Sequence, residues 1–100
     1  MDITVQQLKE RIDNKDSFVF IDVREPWENE EFNVGGQLIP LGDLMGKIPE
    51  LENHKNEEVV VYCRSGNRSG MAQQLLQSAG FTNVRNVIGG MLHWQEVHGK

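Results

Sequence analysis

The chain has 100 residues, 38% of them hydrophobic, which suits one domain over residues 1–100 with its own core. A net charge of −5 argues against a nucleic-acid partner, and the lack of an apolar leader or a membrane-length apolar run predicts a cytoplasmic protein without membrane contact. The single cysteine excludes an internal disulfide framework, fits a reducing compartment and leaves no second thiol to resolve an oxidised first one.

The first elements of the chain are a predicted helix and a predicted buried strand. Thr4, followed three residues later by Gln7, forms a capping box at the start of the helix. An apolar stripe follows at helical spacing, at Val5, Leu8 and Ile12. Residues 18–23, FVFIDV, are a continuous apolar run, which is typical of a strand covered on both faces. We expect this strand to lie centrally in a parallel sheet.

Asp22 and Arg24 lie where that strand ends, and Pro26 suits the first turn of a short helix after it. In open α/β sheets, ligands bind outside the carboxyl ends of the strands. We therefore place Asp22 and Arg24 near the site as supporting residues. A local ion pair or hydrogen-bond network between them is favoured over direct contact with substrate.

The middle of the chain is predicted to contain a turn, an extended piece and short helical turns. Gly35-Gly36 marks the turn, residues 38–41 the extended piece and residues 42–51 the helical turns, broken at Gly46 and Pro49. Four large side chains in this region are expected to pack as core residues: Trp27, Phe32, Met45 and Ile48.

Cys63 stands between a short apolar strand and a helix start in VVVYCRSGNRS, residues 59–69. A helix follows, with one apolar face formed by Ala72, Leu75, Leu76 and Ala79. A loop of small and polar residues entering a helix points backbone N–H groups inward, and the helix N-terminus adds partial positive charge. Cysteines in such places have pKa values of roughly 3.5 to 7.5. We therefore predict that Cys63 is a nucleophile; an inert packing cysteine is the alternative, which the donor-rich loop disfavours.

The loop after the cysteine is the predicted anion cradle. Its members are the candidate substrate-binding residues Arg64, Ser65, Gly66, Asn67, Arg68 and Ser69. Arg64 either steers an anionic donor or is simply solvated, and Arg68 is expected to stiffen the loop and add positive potential. This interpretation requires that the loop amides point at the sulfur and that the thiol can be reached from solvent.

The last elements complete an alternation of helices and strands. Residues 84–88 form a predicted strand, and Gly89-Gly90 turns into a final helix that contains Trp94. The alternation indicates an α/β fold with a parallel sheet and helices on both faces. His93 and His98 are five residues apart and do not share a helix face. We therefore expect no metal site and no cofactor.

Three blocks in this order resemble the single-domain rhodaneses. They are IDVREPWE at residues 21–28, the strand and loop at residues 59–69, and Gly89-Gly90 with Trp94. The resemblance covers nearly the whole chain and implies a three-layer α/β/α fold with a five-stranded, mainly parallel sheet. It departs from the pattern at residues 35–40, where a longer segment is common in the family, so the pocket rim there is expected to differ.

The resemblance implies a sulfurtransferase in which Cys63 carries a sulfane sulfur as a persulfide. The implied partners are a small anionic donor such as thiosulfate and a thiol or cyanide as acceptor. Two alternatives stay open: a non-catalytic rhodanese module that binds a protein partner, and a cysteine-dependent phosphatase or arsenate reductase. Only four residues separate Cys63 from Arg68, a loop that suits one added sulfur atom better than a phosphoryl group.

Overall fold

The structure, a computed structural model, describes residues 1–100 and has a parallel sheet between two layers of helices. The elements in chain order are α1 (Val5–Asp13), β1 (Val19–Asp22), α2 (Pro26–Glu31), β2 (Gln37–Leu38), α3 (Leu41–Lys47), a 3₁₀ helix (Ile48–His54), β3 (Glu58–Tyr62), α4 (Asn67–Ser78), β4 (Asn83–Asn86) and α5 (Gly90–His98). The predicted α/β class and the alternation of elements are confirmed. No helix combines the length and the apolar character needed to cross a membrane.

The sheet has four strands in the order β2-β1-β3-β4, and all neighbours pair in parallel. The implied count of five strands is therefore wrong. In place of a fifth strand, Ile3 forms one isolated bridge to Val87 beyond β4. The pairing stops there because Thr4 caps α1, with its hydroxyl 3.1 Å from the Gln7 amide, as the capping box predicted. The last strand also ends at Asn86 and not at residue 88.

Strand β3 is central and has both faces buried. Val59 and Val61 pack in one apolar cluster with α3 and α4, whereas Val60 and Tyr62 pack in a second cluster with α1 and α5. A strand with two buried faces is uniformly apolar, as this one is. Its carboxyl end lies beside that of β1, with Tyr62 in register with Asp22. The loops after these two strands therefore meet at one edge of the sheet.

Two of the four predicted core residues are exposed: Trp27 by 65% and Met45 by 68%. In α3 the buried position is Leu44, and Met45, one residue later, is turned about 100° away from it. In α2 the buried position is Glu28, so Trp27 points outward. The other two, Phe32 and Ile48, are half-buried against the apolar clusters.

Candidate active site

The sulfur of Cys63 lies inside the turn that joins β3 to α4. Gly66 adopts a left-handed conformation, with φ of 102°, immediately before the first residue of α4. This turn points the Gly66 amide at the sulfur, with 3.1 Å between N and Sγ. The Ser69 amide lies 3.4 Å from Sγ, and the Ser69 hydroxyl 3.3 Å. The first sequence-based requirement, amides directed at the sulfur, is therefore met.

These contacts change the pKa of the Cys63 thiol. Burial alone raises the pKa of Cys63, whereas the Ser69 hydroxyl, when its proton points at the sulfur, and the peptide N–H groups of Ser69, Gly66 and Ser65 lower it. The net effect holds the pKa of Cys63 below its ordinary value. The loop thus favours a negatively charged sulfur.

Access to the sulfur differs from expectation. Cys63 has no solvent-exposed surface, so the direct route from solvent that a nucleophile needs is absent in this conformation. A pocket of about 240 Å³ opens beside the loop, where Arg64 forms part of its wall together with Trp27, Phe32, Met91 and Leu92. A reagent that enters this pocket reaches the sulfur only after loop atoms or side chains move.

The start of α5 contacts the backbone carbonyls of the cysteine loop. The Met91 amide donates to the Cys63 carbonyl and the Leu92 amide to the Arg64 carbonyl, each over 2.9 Å. These are helix N-terminal amides that have no partner within their own helix. Gly90 allows this close approach, since a Cβ at that position would lie 2.6 Å from the Cys63 carbonyl oxygen. The Gly89-Gly90 turn therefore helps to hold the backbone of the cysteine loop in place.

Asp22 and Arg24 form the expected ion pair at the end of β1. The Arg24 guanidinium donates from Nε to Asp22 Oδ1 and from Nη2 to Oδ2, both over 2.9 Å, and both residues are buried. Arg24 Nη2 also donates to the Phe32 carbonyl at 2.6 Å, and Asn29 Nδ2 donates to Asp22 Oδ2 at 2.9 Å. These bonds fasten the segment around α2 to β1 next to the cysteine loop.

Arg68 is tied to a residue that sequence reasoning missed. Its two terminal nitrogens donate to the two carboxylate oxygens of Glu28, over 2.6 Å and 2.9 Å. Hydrogen bonds from Arg68, which outweigh the effect of burial, lower the pKa of Glu28 to about 2. Glu28 is therefore ionised and holds the guanidinium across the space between α2 and α4. Glu28 is the last residue of the family-like block at residues 21–28, but its acidic neighbours Glu25, Glu30 and Glu31 gave no reason to single it out as a site residue.

Asn86 is the second residue that sequence reasoning missed. It ends β4, and its side-chain amide donates from Nδ2 to the Gly66 carbonyl over 3.0 Å. Its Oδ1 lies 2.5 Å from the Ser69 hydroxyl. The sequence could have pointed to Asn86, because a polar residue near the carboxyl end of a strand next to β3 lies where ligands bind in α/β sheets.

The remaining predicted loop residues do not converge on the sulfur through their side chains. Arg64, Ser65 and Asn67 are exposed, whereas Ser69 is fully buried. Of the predicted substrate-binding set, the structure brings Gly66, Ser69 and the peptide N–H of Ser65 to the sulfur and links Arg68 to Glu28. Arg64 lies at the neighbouring pocket.

Comparison with known proteins identifies the family of the chain. The family model of the Rhodanese-like domain matches residues 4–97. The putative sulfur carrier protein YrkF of Bacillus subtilis is 36% identical over 93% of this chain, and the chain spans only 50% of YrkF. A putative mitochondrial thiosulfate sulfurtransferase of Schizosaccharomyces pombe is 36% identical over 92% of this chain and 73% of its own length.

A solved structure extends the comparison to the fold. The crystal structure of a rhodanese-related protein from Thermoplasma volcanium is 31% identical, with a TM-score of 0.83 over 99% of this chain and 94% of that one. Both the family match and the shared fold run over almost all of the sequence. The chain belongs to the rhodanese-like domain family.

Proposed function

We propose that this protein is a sulfurtransferase in which Cys63 accepts a sulfane sulfur and passes it on as a persulfide. The observation that carries the proposal is the convergence of the Gly66 and Ser69 amides on one sulfur atom. Donors placed in this way stabilise negative charge at the point where it develops in a reaction. The names of the relatives YrkF and the Schizosaccharomyces pombe protein, a sulfur carrier and a sulfurtransferase, agree with this chemistry.

The first half-reaction forms the persulfide. The Cys63 thiolate attacks the outer sulfur of thiosulfate, an S–S bond forms, and the bond to the sulfonate sulfur breaks. Sulfite leaves with the electron pair of that bond. The terminal sulfur of the persulfide now carries the negative charge and takes its place among the loop amides.

The second half-reaction returns the enzyme to its starting state. A nucleophilic acceptor, either cyanide or a thiolate, attacks the terminal sulfur and forms a new bond to it. The Cys63–sulfur bond breaks, and Cys63 leaves as a thiolate that the loop stabilises. No proton, oxidant or metal is consumed in either step.

The enclosed position of Cys63 requires an opening step before either half-reaction. Arg64 is exposed at the pocket beside the loop, so it can attract an anionic donor to this entrance. Movement of the loop or of the pocket wall then admits the donor to the sulfur. A buried sulfur also keeps the persulfide away from water between the two steps.

The Arg68–Glu28 pair supports sulfur transfer over phosphoryl transfer. Two of the five N–H donors of Arg68 are bound to the Glu28 carboxylate, so this pairing competes with any phosphoryl group for the guanidinium. The geometry therefore favours a substrate that places a single sulfur atom inside the loop.

The test is the mass of the intact protein after incubation with thiosulfate. We expect the mass of one added sulfur atom, its removal by cyanide with formation of thiocyanate, and neither change in Cys63→Ser. Ser78→Ala, at an exposed position of α4 outside the loop, is the matched variant and should still gain the sulfur. An unchanged wild-type mass would leave a binding module as the function. Hydrolysis of an aryl phosphate that depends on Cys63 would indicate a phosphatase.

A further inference from the structure

Asn86 connects the cysteine loop to the neighbouring strand through both ends of its side-chain amide. Gly66, at one end, offers a carbonyl oxygen, which can only accept a hydrogen bond. The end of Asn86 that faces Gly66 is therefore the NH₂ group, and the end that faces Ser69 is the oxygen. The Gly66 end decides this orientation, since the reverse would place the Asn86 oxygen against the Gly66 carbonyl oxygen, and both of these can only accept.

The Ser69 hydroxyl has one proton and two neighbours that can accept it. Asn86 Oδ1 is 2.5 Å away and Cys63 Sγ is 3.3 Å away. Asn86 Oδ1 carries no hydrogen, so a contact this short requires the hydroxyl to donate to it. The hydroxyl oxygen then presents a lone pair to the sulfur. That arrangement suits a neutral thiol, whose S–H can donate to Ser69.

The arrangement changes when the sulfur ionises. A thiolate has no proton to donate and is stabilised by every donor that turns toward it. The hydroxyl proton can turn to the sulfur only by leaving Asn86, after which two oxygen acceptors face each other at short range. We infer that Asn86 is a positioning residue that holds the Ser69 hydroxyl proton while the sulfur is neutral and gives it up when the sulfur becomes an anion.

Asn86 therefore opposes ionisation of the Cys63 thiol, although the loop as a whole favours the thiolate. The inference rests on the proposed function only in assigning Cys63 as the nucleophile. Its measurement is a titration of the free thiol, which needs no sulfur donor. A protein that failed to transfer sulfur would still give this titration, so the two proposals can fail separately.

The test is a double-variant cycle read by the ultraviolet absorbance of the thiolate against pH, with Cys63→Ser as the blank. Asn86→Leu removes the competing acceptor and excludes a water molecule from its place. We expect the titration midpoint of Cys63 to fall by about one pH unit, because the hydroxyl becomes a free donor to the anion. In a Ser69→Ala background, where no hydroxyl proton exists, Asn86→Leu should leave the midpoint almost unchanged.

Two outcomes overturn the inference: a midpoint that stays or rises in Asn86→Leu, or an equal fall with and without the Ser69 hydroxyl. Asn83→Leu, at an exposed position of the same strand, is the control and should not move the midpoint. Far-ultraviolet circular dichroism checks that each variant is folded, and Asn86→Ala repeats the cycle with a smaller side chain.

The charged groups around the loop are the same in all these variants. They are Asp2 before α1, whose carboxylate accepts a hydrogen bond from the Asn86 peptide N–H, Asp22 and Arg24 after β1, Glu25 and Glu28 at α2, Arg64 and Arg68 of the loop and α4, and His93 of α5 beside Gly89. Because their charges do not change within the cycle, the difference between the two Asn86→Leu shifts isolates the hydroxyl.

Discussion

At the scale of single residues, the site depends on polar side chains that hold other polar groups in place. The cysteine and its loop could be predicted, because a strand, a small polar loop and a helix start are adjacent in the sequence. Glu28 and Asn86 could not. Glu28 lies 40 positions from Arg68 and Asn86 lies 17 from Ser69, so their roles exist only once the sheet has formed.

The Glu28–Arg68 ion pair gives a prediction about stability. Glu28→Gln removes the charge that Arg68 faces and leaves a guanidinium without its carboxylate. Because Glu28 is buried and the Arg68 side chain is 35% exposed, we expect the free energy of unfolding to fall by about 1 to 2 kcal/mol. Urea unfolding measures this loss.

The matched control for this substitution is Glu30→Gln, at an exposed position of the same helix. It should change the free energy of unfolding by less than about 0.5 kcal/mol. Adding Arg68→Met to Glu28→Gln should cost little more than Glu28→Gln alone. Losses that simply added up would show that the pair is not coupled.

At the scale of elements, the loop is shaped by the start of α5 as much as by α4. The last strand and helix were predicted in outline from Gly89-Gly90 and Trp94. The sequence did not predict that the start of α5 would donate hydrogen bonds to the Cys63 and Arg64 carbonyls, because this contact joins backbone segments that are distant in the chain. The implied fifth strand fails for a local reason, the helix cap at Thr4.

Gly90→Ala tests the support from α5. Gly90 has a φ of 59°, and a Cβ there would meet the carbonyl oxygens of Cys63 and Arg64 at 2.6 Å. Strain and displaced backbone together should lower the free energy of unfolding by about 2 to 4 kcal/mol. Thermal unfolding, followed by circular dichroism, measures the loss.

Gly42→Ala is the control for that substitution. Gly42 lies in α3, and a Cβ there meets nothing within 4 Å. Alanine favours the helix over glycine, so this variant should be as stable as the parent or more stable by up to about 1 kcal/mol. Equal losses at residues 42 and 90 would contradict the role given to the α5 start.

At the scale of the whole molecule, acidic side chains join distant elements. Glu58 at the start of β3 accepts hydrogen bonds from Arg11 of α1 and from Arg85 of β4. Hydrogen bonds from Arg11, followed by those from Arg85, lower the pKa of Glu58 to about 2 against the cost of burial. The acidic residues behind the net charge of −5 thus include carboxylates that hold layers of the fold together.

Stability is therefore expected to fall in acid. A carboxyl whose pKa is depressed by folding stabilises the fold above its unfolded pKa of 4.5 and loses that effect as the pH falls toward about 2. Between about pH 7 and about pH 3, Glu28 and Glu58 should each account for a loss of about 2 kcal/mol. Urea unfolding at a series of pH values measures the total.

Glu58→Gln should make this pH dependence shallower by about 2 kcal/mol, because the amide does not titrate. Glu10→Gln, at an exposed position, is the control and should keep the slope of the parent protein. A Glu58→Gln variant with the full acid dependence of the parent would contradict the role given to the Arg11 and Arg85 bonds.

The bonds from Met91 and Leu92 to the carbonyls of Cys63 and Arg64 also bear on the order in which the protein becomes competent during synthesis. A ribosome-bound chain that ends before residue 91 contains the thiol and its whole loop but lacks the amides that anchor them. In such a nascent chain the carbonyls of Cys63 and Arg64 have no partners from α5. We therefore expect the loop to reach its final geometry only once α5 has packed against it.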